Sequence, residues 1–153
     1  MISTTFLSFL ASEIIQQLIN NQSNLESNLH HLGKKIAPFL IELYDFERDI
    51  ELDSLIYKIT YSFLPQIFIT QRKLGKKDNN YVIYENVPLF MSYMSIPYEG
   101  FSSDALIAGI IERVVNASGF ECSVNAYTAP EEKHPRKTVY LIEILPKETK
   151  DLF

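Results

Sequence analysis

The residues that could carry chemistry in this chain are few and widely separated. The sequence contains three histidines, His30, His31 and His134, and one cysteine, Cys122. Neighbouring residues on a helix point about 100° apart, so the adjacent His30 and His31 would not readily bind one metal ion. His134 lies beside a proline and has no ligand partner at a diagnostic spacing. The sequence therefore predicts no metal site and no cofactor.

Nucleophilic and acid–base catalysis also lack a recognisable motif. The chain has no Gly-x-Ser-x-Gly elbow, no phosphate-binding lysine loop and no glycine-rich dinucleotide fingerprint, and it contains only five glycines. Cys122 falls on the apolar side of an alternating segment, where a cysteine is usually an inert core residue. The acidic residues show no pattern that would bring two carboxyl groups together. We predict that the protein is not an enzyme, with a reactive Cys122 as the enzymatic alternative.

The composition predicts one globular domain over residues 1–153. Apolar residues make up 46% of the chain, with 10 Phe and 9 Tyr, which is enough to build a sizeable core. The net charge of −5 opposes binding to nucleic-acid phosphates. One cysteine suits a reducing compartment, and no apolar run approaches the roughly 18 residues needed to cross a bilayer. We expect a cytoplasmic protein without a nucleic-acid partner.

The first part of the sequence predicts two helices separated by a polar turn. Residues 5–21 carry apolar side chains at helical spacing. Ser23 and Glu26 then have the spacing of a capping box, in which each side chain satisfies a backbone N–H at the start of a helix. This short second helix is predicted to run to Leu32, because Gly33 interrupts the helical pattern of apolar residues.

Two further helices and a loop are predicted next. Ile36 resumes a helical stripe, with Pro38 tolerated in the first turn of the third helix. After an acidic connector, Asp53 is the predicted cap of a fourth helix that kinks or breaks at Pro65. Residues 70–80 are rich in lysine and nearly devoid of apolar side chains, so we predict a flexible loop there; a basic surface for an anionic lipid or acidic partner is the alternative.

The second half of the sequence changes to short runs rich in β-branched and aromatic residues. Residues 81–84 and 89–94 predict a β-hairpin, and residues 103–118 predict a helix. Residues 121–129 alternate between apolar and polar side chains, and residues 138–145 supply an apolar partner strand. The order α-α-α-α-β-β-α-β-β predicts the α+β class with a four-stranded antiparallel sheet.

Two of the predicted helices are more apolar than a single neighbour requires. Apolar positions on the helix over residues 5–21 sweep an arc of roughly 220°, whereas one core contact needs little more than about 100°. The surplus faces either a second element of the same chain or another protein. On the helix over residues 103–118, Glu112, Arg113 and Asn116 occupy one predicted polar side and apolar residues span the rest, so this helix must be covered on most faces.

Several short motifs, taken in order, resemble one family. They are Tyr-Met-Ser-Ile-Pro at residues 93–97, Ala-Gly-Ile-Ile at residues 108–111, and Gly-Phe-Glu-Cys-Ser-Val-Asn-Ala-Tyr at residues 119–127. Together with a closing strand at residues 138–144, they are similar to the small subunits of the TRAPP vesicle-tethering complex, of the subunit-five type. The chain departs from the family pattern at Glu121, where the family has Pro, and at Tyr127, where it has His.

The resemblance implies a fold and a role. It implies helices packed on one face of a twisted antiparallel sheet, and a non-catalytic scaffold subunit that joins paralogous small subunits into a hetero-oligomer. That complex supports guanine nucleotide exchange on a Rab-family GTPase during transport from endoplasmic reticulum to Golgi, with the GTPase contacted mainly by other subunits. The implied localisation is cytoplasmic and peripheral at Golgi and endoplasmic reticulum membranes.

The candidate partner-binding residues are the apolar side chains that a sister subunit would cover. They are Phe6, Phe9, Leu10, Ile14, Leu18, Phe39 and Leu43.

A second class of function stays open at this point. Related folds occur in sensor domains that bind haem or another apolar ligand between helices and sheet. The sequence has no histidine on a helix that reads as buried, which argues against the haem version.

Overall fold

The computed structural model of the chain describes residues 25–68, 71–86, 104–134 and 137–145. The helical elements are α1 (Leu25–Leu43), α2 (Leu52–Lys58), a π-helical turn (Ile59–Phe63), α3 (Leu64–Ile67) and α4 (Ala105–Ala117). The strands are β1 (Arg72–Lys77), β2 (Asn80–Glu85), β3 (Cys122–Thr128) and β4 (Thr138–Ile144). The predicted helix over residues 5–21 and the predicted strand over residues 89–94 lie outside the described residues. The predicted hairpin pairing of residues 81–84 with residues 89–94 is wrong, because β2 already pairs with β1 on one side and with β4 on the other.

The four strands form one antiparallel sheet in the order β1-β2-β4-β3. The strands β2 and β4 are neighbours in the middle, where Ile83 faces Tyr140, and β3 pairs with the other side of β4. Helices pack on one face of this sheet, which confirms the predicted α+β class. The buried apolar side chains between the layers include Leu29, Leu40, Ile56, Phe63, Ile83, Ile107, Ile111, Val124, Tyr140 and Ile142.

The helices α1 and α4 touch backbone to backbone at two glycines. A Cβ atom on Gly33 would lie 2.1 Å from the Leu106 carbonyl oxygen, and one on Gly109 would lie 2.0 Å from the His30 carbonyl oxygen. The predicted break at Gly33 is therefore wrong: α1 continues through it, because this glycine serves helix packing and not helix termination. As a result, Pro38 lies inside a long helix and not in the first turn of a new one.

The segment predicted to be a flexible loop forms most of the first hairpin. Strand β1 pairs with β2 through a two-residue turn at Asp78 and Asn79, and Asp78 adopts a positive φ of 57°. Leu74 packs against the core, while the lysines of β1 remain exposed. Edge strands often carry lysines that discourage pairing with another chain, so this composition resembles that of a loop.

The helix start predicted at Asp53 is also corrected. Glu51 occupies the cap position without a side-chain cap bond. The Asp49 carboxylate accepts hydrogen bonds from the Glu51 backbone N–H at 3.1 Å and from the Ser54 hydroxyl at 2.5 Å. The Asp53 carboxylate instead accepts hydrogen bonds from the Tyr81 hydroxyl and the Lys76 ammonium group, and so ties α2 to the hairpin.

Pro65 perturbs the helical segment without ending it. The Leu64 backbone N–H donates to the Ile59 carbonyl oxygen, five residues back, which is the π-helical pattern. Because proline has no N–H and its ring crowds the carbonyl four residues earlier, the wider turn relieves the clash with Tyr61. The helix then continues to Ile67.

Candidate partner-binding site

One side of α1 presents large apolar side chains to the surface. Phe39 is 56% exposed and Leu43 is 58% exposed, and they lie one helical turn apart. Leu32 and Ile36 are half-buried on the same side. We call these four residues the α1 stripe. Their spacing of four, three and four residues is the pattern of a helix that packs against another helix.

The α1 stripe is distinct from the face of α1 that the chain itself buries. Leu29, Ala37 and Leu40 have no exposed surface and face the core. Complete burial of a side chain of the size of Phe or Leu stabilises a complex by about 1.5–3 kcal/mol, and roughly half of that remains available at Phe39 and Leu43. The stripe therefore offers a compact apolar contact for a partner protein.

The structure brings together two of the seven residues predicted to bind a partner. Phe39 and Leu43 are adjacent on the exposed side of α1. The other five, Phe6, Phe9, Leu10, Ile14 and Leu18, lie outside the described residues. Partner binding by any of the seven stays a prediction.

Other exposed apolar side chains were missed by the sequence analysis. Ile50, in the connector after α1, is 94% exposed. Tyr57 and Tyr61 lie one turn apart with ring centroids 4.8 Å apart, and the Tyr61 hydroxyl accepts a hydrogen bond from the Leu74 backbone N–H at 3.0 Å. The signal that could have identified the tyrosine pair is their spacing of four residues on one helical face.

Glu112 does not lie on a solvent-facing polar side of α4, as the sequence pattern predicted. It is buried, and one carboxylate oxygen accepts a hydrogen bond from the Val124 backbone N–H at 3.0 Å. The other lies 2.8 Å from the Lys34 ammonium nitrogen. The His30 Nε2 atom donates to the Val124 carbonyl oxygen at 3.0 Å. This network joins α1, α4 and β3.

A second buried polar group lies at the end of the sheet near the start of α4. Arg72 and Glu85 face each other in the strand register and form an ion pair of 2.7 Å, with both side chains fully buried. Arg72 also donates to the Phe68 carbonyl oxygen at 3.1 Å, and the Thr138 hydroxyl donates to Asp104 at 2.6 Å. Because these groups are inaccessible to a substrate, the cluster is suited to a structural role and not to catalysis.

Tyr140 lies in the interior next to this cluster. Burial of the Tyr140 side chain, followed by the negative charges of Asp104 and Glu85, raises the pKa of its hydroxyl well above the ordinary value. The phenol therefore stays neutral even at alkaline pH values at which an exposed tyrosine begins to ionise.

Cys122 is buried at the start of β3 and is the only cysteine in the sequence. Desolvation by burial, and secondarily the negative charge of Glu112, raise the pKa of its thiol to about 12. Its sulfur lies 3.9 Å from the Glu112 carbonyl oxygen and 3.8 Å from the Asn116 side-chain oxygen. A thiolate is the reactive form, so this environment favours the structural interpretation of Cys122.

We expect Cys122 to react slowly with thiol reagents in the folded protein. At pH 8 the native chain should take up a disulfide reagent at least about a hundredfold more slowly than the denatured chain, because little thiolate forms and access is blocked. Release of the coloured thiol product measures the rate, and the Cys122→Ala variant gives the background. Complete native labelling within minutes would contradict this prediction and revive the enzymatic alternative.

The described ranges hold neither a metal-binding group nor a membrane-spanning helix. No group of three or more His, Cys, Asp and Glu side chains is placed to hold a metal ion in these parts of the chain. In the same parts, no helix has the length and apolar character to span a membrane.

Comparison with known proteins identifies relatives over most of the chain. Residues 7–145 match the family of the transport protein particle (TRAPP) component. The chain is 30% identical to the putative trafficking protein particle complex subunit TRS31 of Encephalitozoon cuniculi, over 91% of this chain and 99% of that protein. It is 37% identical to trafficking protein particle complex subunit 31 of Saccharomyces cerevisiae, over 46% of this chain and 24% of that longer protein.

Solved structures share the fold at low sequence identity. Trafficking protein particle complex subunit 3 from Naegleria fowleri, solved covalently bound to palmitic acid, matches with a TM-score of 0.71 and 8% identity, over 92% of this chain and 94% of that one. The Fe(II) unliganded H-NOX protein from K. algicida matches with a TM-score of 0.56 and 8% identity, over 85% and 68%. Because the family match over residues 7–145 includes every described residue, this chain belongs to the TRAPP component family.

Proposed function

We propose that this chain is a non-catalytic scaffold subunit of a TRAPP-like tethering complex. In this proposal it joins paralogous small subunits into a hetero-oligomer and supports guanine nucleotide exchange on a Rab-family GTPase that other subunits contact. The complex acts in transport from endoplasmic reticulum to Golgi, and the chain associates peripherally with those membranes through it. The relatives named as trafficking complex subunits support the setting.

The α1 stripe is the structural observation that carries the scaffold role. Phe39 and Leu43 remain more than half exposed, whereas Leu29, Ala37 and Leu40 on the same helix are fully buried. Association of helices through apolar stripes at this spacing buries such side chains against a partner. Apolar anchors of this kind commonly contribute most of the binding free energy of an interface.

The test is co-purification of the tagged chain with its paralogous small subunits. A double Phe39→Glu, Leu43→Glu variant should bind them at least about tenfold more weakly, because two buried anchors are lost and two charges must be desolvated. The variant should remain folded, since both side chains are exposed in the isolated chain. The affinity is measured with the reconstituted subunits.

Ile50→Glu is the matched control for this experiment. Ile50 is also apolar and even more exposed, at 94%, but it lies in the connector and not on the α1 stripe. The control variant should bind the subunits as tightly as the unchanged chain. If the double variant and the control bind equally well, the α1 stripe is not the interface.

The support for the alternative of a haem-type sensor is the fold that the chain shares with the H-NOX protein, and nothing else in the described residues adds to it. The described histidines do not suit an axial iron ligand. His30 uses Nε2 for the Val124 carbonyl oxygen, His31 is exposed on α1, and His134 lies in the loop before β4. We therefore favour the scaffold role.

A further inference from the structure

Strand β3 is one edge of the described sheet, and half of its outward backbone is covered by side chains. The Leu145 N–H donates to the Glu121 carbonyl oxygen, and the Ala129 N–H donates to the Lys137 carbonyl oxygen. Odd-numbered residues of this segment therefore direct their backbone N–H and C=O groups toward β4. In an antiparallel pair the alternate residues direct their N–H and C=O groups to the other side. These outward residues are Cys122, Val124, Ala126 and Thr128.

Side chains from α4 and α1 satisfy the first half of this edge. The Asn116 side-chain oxygen accepts from the Cys122 N–H at 3.3 Å, and Glu112 accepts from the Val124 N–H at 3.0 Å. His30 donates to the Val124 carbonyl oxygen at 3.0 Å. An intruding strand would have to displace all three side chains, so this half is closed to strand addition.

The second half of the edge is open. No side chain or backbone group of the described residues bonds the outward N–H and C=O of Ala126 and Thr128. The opposite edge differs, because on β1 the Tyr61 hydroxyl takes the outward Leu74 N–H and exposed lysines flank it. Four backbone groups on Ala126 and Thr128 are thus available to pair with another strand.

A cleft of about 370 Å³ lies beside the middle of β3 and reaches the open half at Ala126. The small side chains of Ala105 and Ala108 on α4 leave space in it, and Glu26 and Ser27 at the start of α1 form its far wall. Glu112 also lines the cleft, but Lys34 already neutralises it. Glu26 is exposed and forms no ion pair with any residue in the described part of the chain.

We propose that an extended segment of a partner protein adds to β3 along Ala126–Thr128 as a fifth strand. Main-chain hydrogen bonds supply the affinity, and alternate side chains enter the cleft, as in other complexes formed by strand addition. A Lys or Arg on the segment pairs with Glu26. This contact is separate from the α1 stripe, and it rests on the proposed function in that the assembled complex supplies the segment.

Hydrogen exchange of the assembled complex tests this proposal. The amides of Ala126 and Thr128 should exchange at least tenfold more slowly in the purified complex than in the isolated chain. The amides of Cys122 and Val124 act as internal controls, because they are already bonded within the chain and should change little. Mass spectrometry with residue-level fragmentation gives the rates.

Each outcome is decisive. If the complex assembles and the Ala126 and Thr128 amides gain no protection, the strand addition is wrong while the scaffold role stands. If no complex forms, both fail together. If protection appears in the isolated chain as its concentration rises, the occupant is a second copy of this chain, and the proposal is overturned.

Variants give an independent readout in the reconstituted complex. Ala126→Pro removes an outward N–H and no bond to β4, and proline is tolerated on edge strands, so it should weaken binding at least tenfold. Ala126→Ser keeps the N–H and should bind normally. Glu26→Lys, which leaves β3 untouched, should also weaken binding. Normal binding by both Ala126→Pro and Glu26→Lys would overturn the proposal.

Discussion

Replacing Gly109 with alanine is expected to destabilise the protein by at least about 2 kcal/mol. Alanine alone favours a helix over glycine by about 1 kcal/mol, so packing must outweigh this gain. It does so because the new Cβ atom would lie 2.0 Å from the His30 carbonyl oxygen, and only a shift of the two helix backbones relieves that overlap. Gly33→Ala, with its contact of 2.1 Å to the Leu106 carbonyl oxygen, should behave in the same way.

Denaturant unfolding followed by circular dichroism measures this effect. Gly75→Ala is the matched control, because its Cβ atom would meet the Tyr84 ring at 3.2 Å, and a side chain at the surface can move. The control should change the unfolding free energy by less than about 1 kcal/mol. If both helix variants are as stable as the unchanged protein, α1 and α4 do not pack this closely.

The second large effect is expected at the buried ion pair. Arg72→Met should cost about 3–5 kcal/mol of the unfolding free energy, because it leaves the Glu85 carboxylate buried without the cation that faces it at 2.7 Å. Glu85→Leu should cost a similar amount for the opposite reason. The same denaturant measurement applies to both variants.

The double variant Arg72→Met, Glu85→Leu separates the pair from its surroundings. Since replacing both partners with apolar residues removes the uncompensated charge, the double variant should recover at least about 2 kcal/mol relative to the sum of the single effects. Additive losses in this cycle would show that the two side chains do not depend on each other. Lys76→Met is the surface control, because both side chains of its ion pair with Asp53 are more than half exposed, and it should cost less than about 1 kcal/mol.

Much of the fold follows from sequence periodicity. The alternation of Cys122 and Val124 with polar neighbours predicted β3, and the apolar run from Thr138 predicted β4, because a strand with one buried face has a period of two residues. The apolar character of residues 103–118 predicted a helix covered on most sides, and α4 is indeed buried between α1 and the sheet. The type of each of these elements could be predicted because the spacing of its own apolar residues reflects which face is buried.

The sequence predictions fail where contacts between residues far apart in the chain determine the structure. The sequence pattern predicts that a helix ends at Gly33, but the helix continues through it, because the missing side chain lets the backbone approach Leu106, which is distant in the sequence. The sequence pattern places Glu112 at the surface, because it cannot show that the Glu112 carboxylate accepts a hydrogen bond from the Val124 N–H of β3. The sequence pattern predicts a loop at Arg72 and the β1 lysines, because it cannot show that this segment pairs with β2.

The candidate site was predictable only in part. Phe39 and Leu43 could be selected because apolar residues one turn apart imply a contact, and the structure leaves both exposed. The open half of β3 could not be found from the sequence. It depends on which backbone groups face away from β4 and on how far the side chains of Glu112 and Asn116 reach.

Native mass spectrometry of the tagged chain, isolated under gentle conditions from cells that express it, tests the scaffold role most directly. We expect the 17.7 kDa chain to be recovered in a larger particle, together with paralogous small subunits at a fixed stoichiometry. Recovery of the chain solely as a free monomer, with those subunits assembled without it, would show that it is not a scaffold subunit.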